Sequence, residues 1–236
     1  MPIFLDTANL DEVARFVRLG IVRGVTTNPS ILLREGVPGS LVALEARARE
    51  LAKLATPYPV AVEVLSNDPE QIPPQARQFA EWADNVVVKI PIHGPCGELH
   101  NLELVNSLET RDGIAVNVTA AASAQQCLLA ALAGASYVSL LGGRVNDMGG
   151  DAAGEIARLR QVLDRLGLPT KLVVGSCREV CNVIDWLRAG ADAVTVPPAL
   201  LERMIVHQAS SQIVATFLHD AAAWLESGQG AEERRR

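Results

Sequence analysis

Short apolar runs alternate along this chain with longer segments whose apolar residues return every three or four positions. The short runs, at Ile3–Asp6, Val22–Thr26, Val60–Val64, Val86–Pro91, Ile114–Thr119, Tyr137–Leu140, Leu172–Gly175 and Ala193–Val196, predict strands. Several are apolar at nearly every position, as in a parallel sheet covered on both faces. Between them fall predicted helices. One is capped by Asn9 or Asp11 and closed at Gly20, and another lies near Ser40–Leu54. Others run from Asp68-Pro69 to Ala83 and over Gly97–Leu108, Ser123–Ala133, Asp151–Leu166 and Arg178–Ala189. Ala-Gly-Ala twice ends a helix and enters a strand, at Gly134 and Gly190. Two further helices follow Pro198, the second near Ser210–Leu225.

Eight β-then-α units predict an α/β fold, a single (β/α)8 TIM barrel with extra C-terminal helices. The structural rival is a doubly wound open sheet. No Gly-x-Gly-x-x-Gly follows the first strand, which removes the main dinucleotide-binding argument for it. Residues 1–226 are expected to form the barrel domain with its C-terminal helix, and residues 227–236 a flexible, charged tail.

Composition narrows the class. The chain has 236 residues, 49% hydrophobic and 20% charged, enough for one domain with a sizeable core. No run approaches the roughly 20 apolar residues of a membrane span, and the start lacks the pattern of a signal peptide. The cysteines at 96, 127, 177 and 181 read as reduced thiols of a cytoplasmic protein. A net charge of −6 without a basic stripe argues against nucleic acid as a partner. An anionic substrate must then be held by a few local arginines.

The candidate chemistry lies at the strand ends, where barrels of this kind carry their active sites. Strand one ends in Asp6, and strand two runs into Thr26, Thr27 and Asn28. Strand three carries Glu63, and strand four Lys89. Strand five carries Asn117 and Thr119, strand six Ser139 with Arg144 beyond it, and strand seven leads to Ser176 and Arg178. Each has an ordinary structural explanation: Asp6 as a cap, Asn28 as a turn residue, Glu63 as the partner of a buried arginine. Lys89 itself reads either as a lysine snorkelling to solvent or as a poorly solvated amine able to attack a carbonyl. A ring of polar groups at one end costs free energy unless every member is paired, and stability alone does not call for it. As chemistry the set is coherent. Lys89 would form an imine with a ketone, Glu63 would move protons, with Thr119 holding a water, and Asp6 would take a hydroxyl proton. Arg144, Ser176 and Arg178 would bind a phosphate.

These residues stand in stretches that resemble the transaldolase family, in particular its small bacterial members. Leu5-Asp6-Thr7-Ala8-Asn9, Gly24-Val25-Thr26-Thr27-Asn28-Pro29-Ser30, Val87-Val88-Lys89-Ile90-Pro91, Asn117-Val118-Thr119, Gly143-Arg144 with Asp147–Asp151, and Ser176-x-Arg178 follow in family order. The resemblance implies transfer of a dihydroxyacetone unit between sugar phosphates. In it Lys89 is the Schiff-base nucleophile, Glu63 the acid/base and Asp6 the second proton carrier. Asn28, Asn117 and Ser139 hold the donor's hydroxyls, Thr26 belongs to the substrate-binding set, and Arg144, Ser176 and Arg178 bind the phosphate. It implies no metal and no organic cofactor, and homo-oligomers, pentamers or decamers, joined through the C-terminal helix. Fructose-6-phosphate aldolases, which are similar, carry Gln where this chain has Glu63.

The chain also departs from the family. Leu140-Leu141-Gly142 stands where a Pro and an aromatic residue are usual, Ala120 where bulkier residues are common, and Cys177 where the residue is apolar and often aromatic. The extra glycine is expected to loosen the segment before Arg144. The rival readings are an aldolase of the fructose-6-phosphate type that releases free dihydroxyacetone, an enzyme diverted to a specialised sugar, and an idle sugar-phosphate-binding barrel. His93, Cys96 and His100 have usable spacing for a metal but lack an evident fourth ligand. Cys177 and Cys181 are expected to pack rather than react, and Arg234-Arg235-Arg236 to be solvated.

Overall fold

The computed structural model describes residues 2–233. Eight parallel strands close on themselves in sequence order: β1 (Ile3–Asp6), β2 (Val25–Thr26), β3 (Val60–Glu63), β4 (Val86–Pro91), β5 (Val116–Ala121), β6 (Tyr137–Leu140), β7 (Lys171–Val174) and β8 (Ala193–Val196). The closing pair is β1 with β8, where Ile3, Phe4 and Leu5 oppose Val194, Thr195 and Val196. The open-sheet rival is thereby excluded.

Around the strands run α1 (Leu10–Arg18), α2 (Pro29–Arg34), α3 (Leu41–Ala55), α4 (Ile72–Ala80), α5 (His100–Thr110), α6 (Ala124–Leu132), α7 (Gly142–Asp147), α8 (Ala152–Leu166) and α9 (Val180–Ala189). Their starts are chemically marked. Asn9, Asn28, Ser40, Ser123 and Asp151 each accept backbone N–H bonds as N-caps. Gly167 and Gly190 close α8 and α9 in the left-handed region, at φ 64° and 111°.

Register decides which residues share the barrel interior. Adjacent parallel strands pair Asp6 with Thr26, Glu63 with Lys89, and Lys89 with Asn117. Paired residues point the same way, so these side chains face inward together at the C-terminal ends. Lower down, Phe4, Val173 and Ala193 pack with Tyr137 and fill the lumen. The core therefore lies beneath the polar layer and between strands and helices, where Phe16, Phe79 and Trp186 are fully enclosed.

Three local expectations need correction. The second strand is shorter than Val22–Thr26, although Arg23 still donates its backbone N–H to the Ile3 carbonyl. The fifth strand continues through Thr119 to Ala121, with a register shift against β6 between Val118 and Ala121 and Ala120 at φ 60°. The segment before Arg144 is not a loose loop but the first turn of α7, with Gly142 and Gly143 both buried.

A second compact unit begins at Ala199. It holds nearly all of α10 (Pro198–Ile205) and the whole of α11 (Gln208–Glu233). Helix α11 continues well past Leu225, through residues where a frayed tail was expected, and Arg234–Arg236 lie outside the described residues. No described helix is long and apolar enough to cross a membrane.

Candidate active site

Lys89 sits at the centre of the polar layer and is 6% exposed. Three preceding valines keep β4 buried and carry the lysine inward between β3 and β5. Its Nζ donates to the Thr27 carbonyl oxygen at 2.7 Å and lies 3.2 Å from Glu63 Oε2. The snorkelling reading is excluded by this placement. Thr27 is itself fixed from both ends, since its hydroxyl and its N–H donate to the Ala61 carbonyl at 2.8 and 3.0 Å. The amine thus gives one N–H to a fixed carbonyl oxygen, forms an ion pair with Glu63, and lines the cavity above.

Asp6 lies on the β1 side of the same layer. Thr26 Oγ1 donates to Asp6 Oδ1 at 2.7 Å, and Thr195 Oγ1 lies 2.5 Å from Thr26 Oγ1. Burial raises the Asp6 carboxyl above its ordinary range; the Thr26 hydrogen bond and the charges of Lys89 and Arg34 pull the other way. The hydroxyl of Thr26 gives its hydrogen to a carboxylate, so it has none left for a substrate.

Above these groups opens a cavity of about 520 Å³, lined among others by Asp6, Asn28, Glu63, Lys89, Thr119 and Ser139 at its base and by Arg144, Ser176 and Arg178 at its rim. Asn28 has two duties: it caps α2 by accepting from Ile31 N–H at 2.9 Å, and it faces the cavity. Asn117, 2% exposed and paired in register with Lys89, accepts the Ser139 hydroxyl at 2.8 Å and so positions Ser139.

The rim is built by close packing around α7. A Cβ on Gly142 would stand 2.8 Å from Val174 Cγ1 and 2.9 Å from Trp186 Cζ2, and a Cβ on Gly143 would overlap the Ser176 carbonyl oxygen. The glycines therefore tighten this segment against β7 and α9. Asn146 accepts from Ala152 N–H at 3.0 Å and locks α7 to α8. Asn182 accepts from the N–H groups of Arg178 and Glu179, which holds the Ser176–Arg178 segment to the start of α9. Ser176 adopts φ 60°, a strained conformation of the kind found at ligand clamps. Arg178 is paired with Asp147 at 2.8 Å, whereas Arg144 is exposed and makes no ion pair among the described residues.

The sequence reading placed Thr27 at the end of strand two without a role and did not single out Thr195 or Arg34; Thr27 meets Lys89, Thr195 meets Thr26, and the Arg34 charge acts on Asp6. Three departures from the family pattern, Ala120, Leu141 and Cys177, all line the cavity. The Cys177 thiol is pushed up to about 11 by burial and stays protonated at neutral pH. All four cysteines are free. The ring nitrogens of His93 and His100 contact the carbonyls of Gly94 and Asn67, and no metal-suited cluster occurs among the described residues.

A closed (β/α)8 barrel with a buried lysine–carboxylate pair at its C-terminal mouth defines a class of barrel enzyme. The sequence model of the Transaldolase/Fructose-6-phosphate aldolase family matches residues 3–233. The chain belongs to that family of aldolase and transferase enzymes. It is 39% identical over 220 residues to a probable transaldolase of Methanococcus maripaludis, covering 93% of this chain and 97% of that protein. A probable transaldolase of Desulforudis audaxviator is 40% identical over 222 residues, covering 94% and 98%. Among solved structures, thiamine phosphate pyrophosphorylase from Pyrococcus furiosus superposes with a TM-score of 0.58 over 83% of this chain and 85% of its own, at 12% identity, a likeness of fold alone.

Proposed function

We propose that this chain is a class I, Schiff-base transaldolase. It takes a dihydroxyacetone unit from a ketose phosphate, sedoheptulose 7-phosphate or fructose 6-phosphate, and gives it to an aldose phosphate, glyceraldehyde 3-phosphate or erythrose 4-phosphate, as in the pentose phosphate pathway. The observation that carries the reading is Lys89, buried at the cavity base with one N–H on the Thr27 carbonyl and Glu63 3.2 Å away.

The steps follow from that geometry. Lys89 gives a proton to Glu63, and its lone pair attacks the donor ketone carbon. One N–H proton of the adduct passes to the alkoxide to give a carbinolamine, and Glu63 returns its proton to that hydroxyl, which leaves as water and gives the iminium. Asp6 takes the proton from the donor's C4 hydroxyl as the C3–C4 bond breaks, and the bond's electron pair enters the iminium to give an enamine. The aldose phosphate leaves, an acceptor aldehyde replaces it, and the steps run backwards. Thr119 holds the water near Glu63, Asn28 and Ser139 take donor hydroxyls, and Arg144, Ser176 and Arg178 hold the phosphate. None of these steps requires a metal or an organic cofactor.

Glu63 also bears on transfer against simple cleavage, because an amide cannot shuttle the proton a carboxylate can. In the parent, fructose 6-phosphate with erythrose 4-phosphate should yield sedoheptulose 7-phosphate and little free dihydroxyacetone. Glu63→Gln should slow transfer roughly 100-fold, the scale of one acid/base group, and raise the share of free dihydroxyacetone. Equal transfer rates and equal product ratios in the two proteins would remove Glu63 from the mechanism.

The same reading extends to assembly. Helix α11 exposes Ile213, Phe217 and Leu218, an apolar face that a second copy of this chain would cover in a pentamer or decamer. Light scattering at micromolar concentration should give a multiple of the 25.2 kDa chain mass, and a monomer mass would contradict it. Action in the cytoplasm, without nucleic acid or membrane partners, completes the proposal.

A further inference from the structure

Asp6 is not positioned by Thr26 alone. Thr26 Oγ1 is 2.7 Å from Asp6 Oδ1 and 2.5 Å from Thr195 Oγ1. A threonine hydroxyl has one hydrogen to donate. When Asp6 is ionised, Thr26 commits that hydrogen to the carboxylate, so Thr195 must be the donor in the second contact. The result is a directed chain across β8, β2 and β1: Thr195 to Thr26 to Asp6. Thr26 and Thr195 are 2% and 5% exposed, so little water competes for the chain. Thr195 also lines the cavity, which places the end of the chain at the site itself.

We propose that Thr195 is a positioning residue for the proton-accepting step: by donating to Thr26 it holds the Thr26 hydroxyl turned towards Asp6 and keeps the carboxylate ionised and aimed. The assignment rests on the reading of Asp6 as the group that takes the donor's hydroxyl proton. When that proton arrives, the chain reverses without any other bond changing. Asp6 then donates to Thr26, Thr26 donates to Thr195, and Thr195 turns its hydrogen to the cavity.

Other groups near Asp6 set the background. Lys89 on β4 and Arg34 on α2 favour the ionised carboxylate, burial opposes it, and Cys177 after β7 feels the Asp6 charge. Losing the Thr195 donor leaves these untouched and frees the Thr26 hydroxyl to rotate away. Asp6 should then hold its proton to higher pH.

The test is the pH profile of kcat/KM for transfer from fructose 6-phosphate to erythrose 4-phosphate, in the parent, Thr195→Val and Thr195→Ser. Borohydride trapping of the donor runs alongside. Thr195→Val should lose on the order of ten-fold at neutral pH, the scale of one hydrogen bond to a charged network, and its acid limb should move to higher pH. Thr195→Ser should restore both, and trapping on Lys89 should persist in all three. An acid limb at the parent's pH in a trapping Thr195→Val enzyme, or failure of serine to restore it, overturns the Thr195 assignment alone. A parent that neither traps donor nor transfers overturns the underlying reading and this assignment with it.

Discussion

Lys89→Met is expected to abolish transfer, with a loss on the order of 10⁴-fold or more in kcat, while the protein stays folded. Methionine keeps the apolar stem that packs between β3 and β5 and removes only the amine. The groups that lose a donor are tolerant. The Thr27 carbonyl belongs to a segment held by two other bonds to Ala61, and the Glu63 side chain is 17% exposed and can bind water. Steady-state kinetics with circular dichroism would check this. Substantial residual transfer in a well-folded variant would mean that no covalent amine chemistry is needed. A structural lysine, by contrast, would show its loss in stability and not in the chemical step.

Gly143→Ala should have the second-largest effect, and for a different reason. The added Cβ would overlap the Ser176 carbonyl oxygen and crowd Arg178 Cγ at 3.1 Å, with backbone on one side and β7 behind it. Overpacking of this kind costs roughly 2–3 kcal/mol. For a chain of this size that is a fall in Tm of about 5–10 °C. The displaced segment carries Ser176 and Arg178, so KM for fructose 6-phosphate should rise about ten-fold or more, as for loss of about 1.4 kcal/mol of binding. KM for a donor without a phosphate should change far less. Gly39→Ala, where a Cβ meets nothing within 4 Å, is the control and should leave Tm and KM unchanged. Equal KM changes for phosphorylated and unphosphorylated donors would detach this segment from phosphate recognition.

What the sequence made legible was whatever local chemistry encodes. The valine run before Lys89, the cap at Asn9, the helix start at Asp151 and the stop at Gly190 each follow from residue type and spacing. They recur in the structure with shifts of a few residues at the element ends, whereas Asn28, read as a turn residue, is the cap of α2. Eight such units leave few topologies other than the barrel. Long-range features were hidden. Thr195 meets Thr26 across 169 positions and Lys89 meets Thr27 across 62, and only closure of the barrel brings them together. Asn117 points inward as strand alternation predicts, but its hydrogen bond from Ser139 on the neighbouring strand appears only once β5 and β6 pair.

The Gly142-Gly143 pair shows the opposite error. Low helix propensity made it read as a loosened loop. The structure uses the missing Cβ atoms to let α7 approach Ser176, Val174 and Trp186. The aromatic residue absent from position 141 is not replaced at the cavity wall, because Trp186 packs behind Gly142 and Leu141 faces the cavity. Together with Ala120 and Cys177 this leaves a wall of small and aliphatic side chains, where a bulkier donor would find room.

The central claim is that Lys89 forms an imine with the donor. Borohydride added to the protein with saturating fructose 6-phosphate should raise the intact mass by one reduced adduct, and peptide mapping should place that adduct on Lys89. An unchanged mass under saturating donor, or an adduct mapped to any other lysine, would contradict it.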